Sequence, residues 1–466
     1  MEKISFKKKY FGPASFYKEV IAIGMPVMLQ NLIQNLVSLI DNFMVAGLGD
    51  VKMSGVNVAG QILFVFMVLV NTICTSGGIF MSQFFGAGDK KGMRQSLLFK
   101  FAIGCVGIGL YSVCCFVLPR EILPLMVTNN KDAAEIINYG VQYMRIMGFV
   151  AVPMTVSTIL ASSLREIGIV KPPLIISISA TLINTCLDWV FIYGHFGLPK
   201  MEVRGAAVAT VIAMTVQMIV YIIYIFIKKP PFIISSVKEL SIDGRLFKKI
   251  LIKSLMVLFS EMVWVLSETV TTALYNRRGG ADVVSGMASS FSIANLFFVA
   301  FAGITTSTGV LLGKALGQGK LEEAKIKKNW LFMAANIFGL FMLGFGVLTT
   351  LLIPVVFGNL SLESQHICKM MVLGMALYMP TWVFVNTQFA VSRAGGDTIM
   401  GMIVDGITTL LLIVPGTFYM ALFTTIGPVA MYMIIKLTDF IKIALATFWL
   451  KKERWVKNLA VENSNK

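Results

Sequence analysis

The sequence predicts an all-α membrane protein of about twelve transmembrane helices, built as two six-helix bundles related by a pseudo-twofold axis. Three observations lead to this fold class: an apolar composition, long apolar runs along the whole chain, and a repeat between its halves. Hydrophobic residues make up 56% of the 466 residues and charged residues 14%, whereas soluble domains carry about 25% charged residues. A soluble protein of this size needs more polar side chains to cover its surface, so lipid is the expected solvent.

The apolar runs are long enough to cross the hydrocarbon core, because a helix rises about 1.5 Å per residue and the core is about 30 Å thick. A basic N-terminus precedes the first run, as in a signal peptide, but the length of that run and its Pro26 and Asp41 favour a retained helix. The predicted helices cover residues 19–46, 55–82, 96–118, 137–161, 172–194, 205–227, 250–276, 286–312, 330–353, 369–392, 399–422 and 427–450.

Lysine and arginine residues fall mainly on one side of this helix plan. That side receives most of the 40 Lys and Arg residues, including those of segment 228–249 and also Lys100 and Arg393. Because cytoplasmic loops are enriched in Lys and Arg, we expect both termini and the linker 228–249 in the cytoplasm, with the chain in the cell membrane. The same distribution accounts for the net charge of +16, so nucleic acid is not an expected partner.

Two tracts of the first half recur in the second half. Residues 83–89 (QFFGAGD) resemble residues 314–320 (KALGQGK), and residues 163–168 (SLREIG) resemble residues 391–396 (VSRAGG). Each tract follows the second or fourth predicted helix of its half. A duplication explains these tracts, and an even number of helices per half makes the pseudo-twofold axis run along the membrane normal.

Acidic residues within the predicted helices are the strongest site candidates, because a carboxylate in lipid is costly unless it is solvated or paired. Asp41 and Asp188 are expected at similar depth in the outer half of the membrane. Gln34 shares a helix face with Asp41, and Asn184 shares one with Asp188. These residues predict either a proton or sodium site in a cavity, or hydrogen bonds that only hold helices together.

A second candidate set follows the seventh predicted helix. Glu261 and Glu268 lie on about the same helix face, with Trp264 between them. An acid beside an aromatic ring suits a lipophilic cation, and the alternative is that one glutamate pairs with Arg145. Asp405, in the eleventh predicted helix, is a weaker candidate.

The other residue types give no sign of a metal site or a catalytic site. The six Cys and two His residues show no spacing typical of a metal or catalytic site, so we expect no enzyme activity and no cofactor. A primary pump is excluded on this chain because it has no GxxxxGK[ST] loop. Asp439 is expected to be neutralised by Lys436 and Lys442, and the remaining buried charge to be mainly acidic, with Arg145 as the main exception.

Several motifs recur here in a characteristic order and spacing: Pro26 with Asp41, Gly86-Ala87-Gly88, Asn184 to Asp188, Gly205 to Thr210, Glu261 to Trp264, and Gly317-Gln318-Gly319. In this order and spacing, the chain resembles the multidrug and toxic compound extrusion (MATE) family over nearly its whole length. The pair Pro26 and Asp41 and the pair Asn184 and Asp188 are similar to the DinF-like branch of that family.

The resemblance implies a V-shaped central cleft between lobes 1–235 and 236–466, and a helix bend at Pro26. It implies a monomeric antiporter that exports small amphipathic or cationic compounds in exchange for H⁺ or Na⁺, with sodium at Asp41 and Asp188 or at Glu261. The alternative function is a lipid-linked oligosaccharide flippase of the same superfamily. A flippase of this kind would need basic groups in its cavity to bind a pyrophosphate.

Overall fold

The computed structural model describes residues 9–127, 131–234, 236–277 and 279–461, and every regular element in these ranges is helical. Eleven helical segments of this part of the chain are long and apolar enough to cross a membrane. The protein is therefore a multi-pass membrane protein.

Eight α-helices are defined in the described part of the first half. Two of them, α5 and α6, are joined by a 3-10 turn at Gly148–Val150 and together make one membrane-crossing segment. The helices are α1 (Ala14–Ala46), α2 (Asp50–Ala87), α3 (Lys90–Phe116), α4 (Pro119–Met126), α5 (Ala133–Met147), α6 (Ala151–Glu166), α7 (Lys171–Tyr193) and α8 (Val203–Lys228).

The second half begins after a short 3-10 helix at Val237–Leu240. Between α13 and α14 the chain forms π-helical turns at Gly401–Ile407 and Thr409–Ile413. The helices are α9 (Gly244–Asn276), α10 (Ala281–Gly317), α11 (Leu321–Thr349), α12 (Ile353–Val356), α13 (Leu362–Ala394), α14 (Val414–Phe423), α15 (Pro428–Lys436) and α16 (Thr438–Lys451).

The last predicted helix, 427–450, is two shorter helices, because the chain turns at Leu437 between α15 and α16. Several other helices extend beyond their predicted ends, since an apolar window detects only the part that crosses lipid. Because of these extensions, some polar residues that were predicted in loops lie inside helices. Lys100 is fully buried in α3, and Arg393 lies in the last turn of α13 rather than in a loop.

The chain divides into two compact units. The N-terminal unit comprises Leu29–Met81 and Lys90–Ile250. The C-terminal unit comprises the chain up to Met28, Ser82–Asp89, and the chain from Leu251 onward. Helices α1 and α2 therefore each contribute one portion to each unit. In α1 the division falls between Met28 and Leu29, shortly after Pro26, which lies inside this helix.

Each unit has an apolar core of its own. In the C-terminal unit, Met371, Met375 and Met379 of α13 are fully buried at a spacing of one helical turn, and they pack in a cluster with Phe297 of α10. Methionine side chains fill irregular gaps between helices well. In the N-terminal unit, Val45, Ile192 and Ala206 join α1, α7 and α8.

The same backbone turn follows α2, α6, α10 and α13. Gly88, Gly168, Gly319 and Gly396 have φ values of 73°, 84°, 75° and 75°, in the left-handed region that glycine adopts without a steric penalty. The next residue then donates its N–H to a carbonyl five residues back, as in the Schellman motif. These bonds are Asp89 to Phe84, Ile169 to Leu164, Lys320 to Ala315 and Asp397 to Ser392, at 2.9–3.0 Å. The predicted repeat is thus confirmed in the backbone.

The ends of α2 and α10 cross at two glycines within the C-terminal unit. A Cβ atom at Gly86 would lie 2.8 Å from Lys314 Cα, and one at Gly317 would lie 2.8 Å from the carbonyl carbon of Gln83. Gln83 and Lys314 occupy the same place in the two repeated tracts, so the crossing is locally symmetric. Gln83 also donates to the Ala394 carbonyl at 2.7 Å and accepts from the Leu459 N–H at 2.8 Å.

Candidate functional site

Asp41 of α1 and Asp188 of α7 lie together inside the N-terminal unit. Their side chains interact directly, and Thr185 Oγ1 donates to Asp41 Oδ1 at 3.3 Å. Asp188 is 2% exposed, and its Oδ1 has no hydrogen-bond partner in the described part of the chain. Two adjacent carboxylates without a basic partner repel each other unless a proton or cation neutralises them.

Apolar side chains lie one helical turn beyond each member of this acid pair, since Val45 follows Asp41 by four residues and Ile192 follows Asp188 by four. Tyr143 of α5 lies close enough to interact electrostatically with both carboxylates. The same tyrosine packs against buried Val45 and Ile192. Apolar walls lower the local dielectric constant and therefore strengthen the interaction between charges.

The other N-terminal candidates form no hydrogen bond to the pair in the described part of the chain. Asn184 donates to Thr210 at 3.5 Å rather than to a carboxylate, and Gln34 is half-buried on α1. Two residues that interact with the pair were missed by the sequence reasoning: Thr185, through a hydrogen bond, and Tyr143, electrostatically. Thr185 lies one helical turn before Asp188, and this spacing could have identified it.

A second polar cluster of the N-terminal unit is neutral. Gln30 and Gln217 donate to Ser177 Oγ at 2.9 and 3.2 Å. The Ser177 hydroxyl also lies 3.3 Å from that of Tyr221. In the repeat, Gln30 corresponds to Glu261, and Ser177 to Asp405, so the matched positions of the second half carry charges.

The C-terminal unit contains a cavity of about 340 Å³, which we call the C-terminal cavity. It brings together the predicted residues Glu261, Trp264 and Glu268 of α9. Their side chains are accompanied by aromatic rings from other helices, Phe298, Phe301, Trp382 and Tyr432, and by the charged residues Arg393, Asp405, Lys436, Asp439 and Lys442.

Two ion pairs neutralise part of this charge. Arg393 Nη2 lies 3.3 Å from Glu261 Oε1, so Arg393 and not Arg145 is the partner of that glutamate. Lys442 Nζ lies 2.7 Å from Asp405 Oδ1. Asp405 belongs to the π-helical turn Gly401–Ile407, a kind of turn that is frequent at functional sites.

Asp439 forms no salt bridge with Lys436 or Lys442 in the described part of the chain. Its Oδ2 accepts a hydrogen bond from Trp382 Nε1 at 2.7 Å, while Lys442 pairs with Asp405. The turn at Leu437 separates Lys436 from Asp439, so these two residues do not share a continuous helix. Lys442 still interacts electrostatically with Asp439, so neutralisation by Lys442 is supported and neutralisation by Lys436 stays a prediction.

Glu268, Asp439 and Lys436 are the charged residues of the C-terminal cavity outside these two ion pairs. Lys436 Nζ lies 4.8 Å from the Trp382 ring centre and 5.2 Å from that of Tyr432. Within the described ranges, neither Glu268 nor Lys436 forms a salt bridge. Outside the two ion pairs, the cavity thus carries two carboxylates, Glu268 and Asp439, and one ammonium group, Lys436.

Acidic residues outnumber basic ones in the C-terminal cavity, four to three, as expected. Arg145 is exposed, so the basic exceptions are other residues. Elsewhere, Lys100 of α3 is fully buried, with its Nζ 2.5 Å from Glu166 Oε2 of α6. Ser162 and Ser163 each lie 3.2 Å from the same ammonium group.

Comparison with known proteins identifies the family. The sequence model of one family, MatE, matches residues 26–190 and again residues 257–419. The chain belongs to the MatE family. Because the same model matches both halves, the duplication is visible in the sequence as well as in the backbone turns.

Relatives and solved structures agree with this assignment. The probable multidrug resistance protein NorM of Thermotoga maritima is 22% identical over 425 residues, which cover 88% of this chain and 87% of that protein. A crystal structure of MATE in the straight conformation matches with a TM-score of 0.84 at 18% identity, covering 96% and 97% of the two chains. An outward-facing MATE family transporter matches with a TM-score of 0.80 at 18% identity, covering 94% and 96%.

The predicted all-α membrane fold and the family are therefore confirmed. As a member of the MatE family the chain is a transporter, not an enzyme, and it needs no cofactor. Assignment to the DinF-like branch, the bend at Pro26 and the roles of the site residues stay predictions.

Proposed function

We propose that this chain is a secondary antiporter that exports amphipathic, often cationic, compounds in exchange for H⁺ or Na⁺. Membership of the MatE family and relatives named as multidrug resistance proteins support this function. The observation that carries it is the acid pair of Asp41 and Asp188, for which no Lys, Arg or His of the described chain lies within ion-pair distance.

The acid pair can convert ion binding into a change of helix packing. With both carboxylates ionised, their repulsion pushes α1 away from α7. A proton shared between them, or a sodium ion held by their oxygens and the Thr185 hydroxyl, removes the repulsion and favours close packing. If a substrate favours the opposite arrangement of these helices, ion and substrate weaken each other's binding reciprocally, which is the thermodynamic basis of exchange.

The test is transport by the purified full chain in proteoliposomes, with a pH gradient or a sodium gradient imposed separately. Asp41→Asn and Asp188→Asn should each abolish gradient-driven efflux, and the double variant should be little worse than either, because the residues act as a unit. Asp50→Asn, which changes an exposed acid at the start of α2, is the matched control and should transport normally.

Strong coupled transport by Asp41→Asn would contradict this mechanism. Coupling would then have to be assigned to the C-terminal cavity, with Glu261 as the first candidate. The gradient that drives efflux in the unmodified chain identifies the coupling ion.

Orientation and assembly belong to the same proposal. We place the chain in the cell membrane as a monomer, with both termini in the cytoplasm, lobes at residues 1–235 and 236–466, and the linker 228–249 between them. A single cysteine replacing exposed Lys248 in a cysteine-free background should react only with a membrane-permeant reagent. A cysteine replacing Lys200 should react with an impermeant reagent from outside, and the reverse pattern would overturn the orientation.

The flippase alternative finds less support in the charge pattern. A pyrophosphate carries several negative charges and needs several free basic groups. In the described chain, Lys100, Arg393 and Lys442 are each paired with a carboxylate. This pairing favours the antiporter.

A further inference from the structure

The residues that follow α16 are docked within the C-terminal unit. Residues 453–460 form turns rather than a helix, yet Trp455 and Leu459 are each 1% exposed. An undocked segment would leave these large apolar side chains in water, which is unfavourable. We call residues 453–460 the C-terminal strap.

Hydrogen bonds join the strap to the ends of α2 and α10. The Leu459 N–H donates to Gln83 Oε1 at 2.8 Å, and Asn458 Nδ2 donates to the Gly317 carbonyl at 3.1 Å. Gln83 is fully buried, and its own amide group donates to the Ala394 carbonyl of α13 at 2.7 Å. The strap and α13 therefore hold the same glutamine of α2 through the two polar atoms of its side chain.

Glycines of the repeated tract 391–396 make room for the strap. A Cβ atom at Gly395 would lie 2.7 Å from Trp455 Cα, and one at Gly396 would lie 2.9 Å from Leu459 Cδ1. Carbon atoms in contact are normally about 3.5–4.0 Å apart, so a side chain at Gly395 would displace the strap backbone. The proposed export function gives this tract no role, and docking of the strap supplies one.

Helix α2 is divided between the two units. Its residues up to Met81 belong to the N-terminal unit, and those from Ser82 onward belong to the C-terminal unit. The division follows Ser76, Gly77 and Gly78 by about one helical turn, and sharp bends in helices occur at such pairs of Gly and Ser. A fixed helix end and a bendable stretch just before it together make a hinge.

We propose that the C-terminal strap fixes the end of α2 in the C-terminal unit throughout transport, with Gln83 as the positioning residue that it holds. The proposal rests on the proposed antiport function and adds a conformational constraint to it. Repacking of the N-terminal unit around the acid pair moves the part of α2 that belongs to that unit. Because the strap keeps the end of α2 in place, α2 takes up this movement by bending at residues 76–78.

Thiol labelling in a cysteine-free background shows whether the strap stays docked. Leu459→Cys in proteoliposomes should remain unreactive toward a membrane-permeant maleimide, both without a gradient and during gradient-driven efflux of rhodamine 123, an amphipathic cation. Val461→Cys is the matched control, because Val461 is 50% exposed and should react in both states. Labelling of Leu459→Cys in either state would overturn the proposal.

A cross-link tests the same point through transport. Lys325 Nζ of α11 lies 2.7 Å from Glu453 Oε2 at the start of the strap. Lys325→Cys and Glu453→Cys, joined by a short bis-maleimide, should leave the efflux rate unchanged because the strap does not have to leave. Each single variant, treated with the same reagent, is the control. Loss of efflux in the cross-linked protein alone would show that the strap must release, which would overturn the proposal.

Loosening the strap should slow transport without weakening substrate binding. Asn458→Ala removes the hydrogen bond to Gly317 and two acceptor bonds at the end of the strap. It should lower the efflux rate by at least about fivefold, the factor that one net hydrogen bond contributes, with the affinity for rhodamine 123 unchanged. Asn329→Ala is the matched control, because Asn329 also donates to a backbone carbonyl of the C-terminal unit, that of Lys9, and it should transport normally.

Rescue by the cross-link separates a positioning role from a stabilising one. In Asn458→Ala, joining cysteines at positions 325 and 453 should restore the efflux rate at a temperature where thermal unfolding shows both forms to be folded. A normal rate in Asn458→Ala, or a low rate that the cross-link fails to restore, would overturn the strap and leave the antiporter standing. The antiporter itself fails if the unmodified chain exports rhodamine 123 under neither gradient.

Discussion

Replacing Gly317 by alanine tests the crossing of α2 and α10. The new Cβ would lie 2.8 Å from the carbonyl carbon of Gln83 and 3.0 Å from its Cα, whereas carbon atoms in contact are normally about 3.5–4.0 Å apart. Both atoms belong to the backbone, so no side chain can rotate aside and the helix ends must separate by about 1 Å. Overpacking of this kind costs about 1–3 kcal/mol.

The measurement is thermal unfolding of the purified protein, and Gly309→Ala in the same helix is its control. A Cβ at Gly309 meets nothing within 4 Å, so that variant should be neutral or gain up to about 1 kcal/mol from helix propensity. Gly86→Ala should behave like Gly317→Ala. The double variant should lose less than the sum, because one separation relieves both clashes. Equal stability of Gly317→Ala and Gly309→Ala would refute the reasoning.

Three further predictions concern stability. Lys100→Met leaves Glu166 buried without its partner and should lower the free energy of unfolding by about 3–5 kcal/mol. Adding Glu166→Gln should recover most of this loss in thermal unfolding, and no recovery would contradict the assigned pair. The Lys52 ammonium holds the pKa of the Glu202 carboxyl below its ordinary value of 4.5. Glu202→Gln should therefore lower the free energy of unfolding by at most about 1 kcal/mol near neutral pH. This difference from the unmodified protein should vanish as the pH falls through the lowered pKa of Glu202. Trp455→Ala empties the site of a side chain that is 1% exposed and should cost about 3–5 kcal/mol, with faster proteolysis of the C-terminal segment as the readout.

The fold was predictable because lipid restricts the chain severely. Every backbone polar group in the hydrocarbon core must be satisfied internally, so long apolar runs can only be helices. Helix ends were less predictable, since they lie beyond the apolar window. The clearest case is α13, which was predicted to end at residue 392 but continues to Ala394. Arg393 therefore lies in its last turn, where it pairs with Glu261.

The candidate site was predictable in part, for reasons of geometry. Asp41 and Asp188 could be paired from their depth, because a helix has a fixed rise per residue. The contact of Lys442 with Asp405 depends on how α16 packs against a π-helical turn, and no spacing in the sequence encodes that packing. Lys436 and Asp439 have the spacing of helical neighbours, but the turn at Leu437 breaks the helix between them.

The repeated turns after α2, α6, α10 and α13 allow the two halves to evolve separately. Four glycines fix the helix ends in both halves, while the interiors diverge: Gln30 and Ser177 form a neutral cluster, and their counterparts Glu261 and Asp405 hold ion pairs. With the helix ends fixed by these glycines, new polar residues in the interior of one half need no change in the other. A lineage that keeps the four glycines can acquire new ligands through a few substitutions inside the second half, while the acid pair of the first half stays intact.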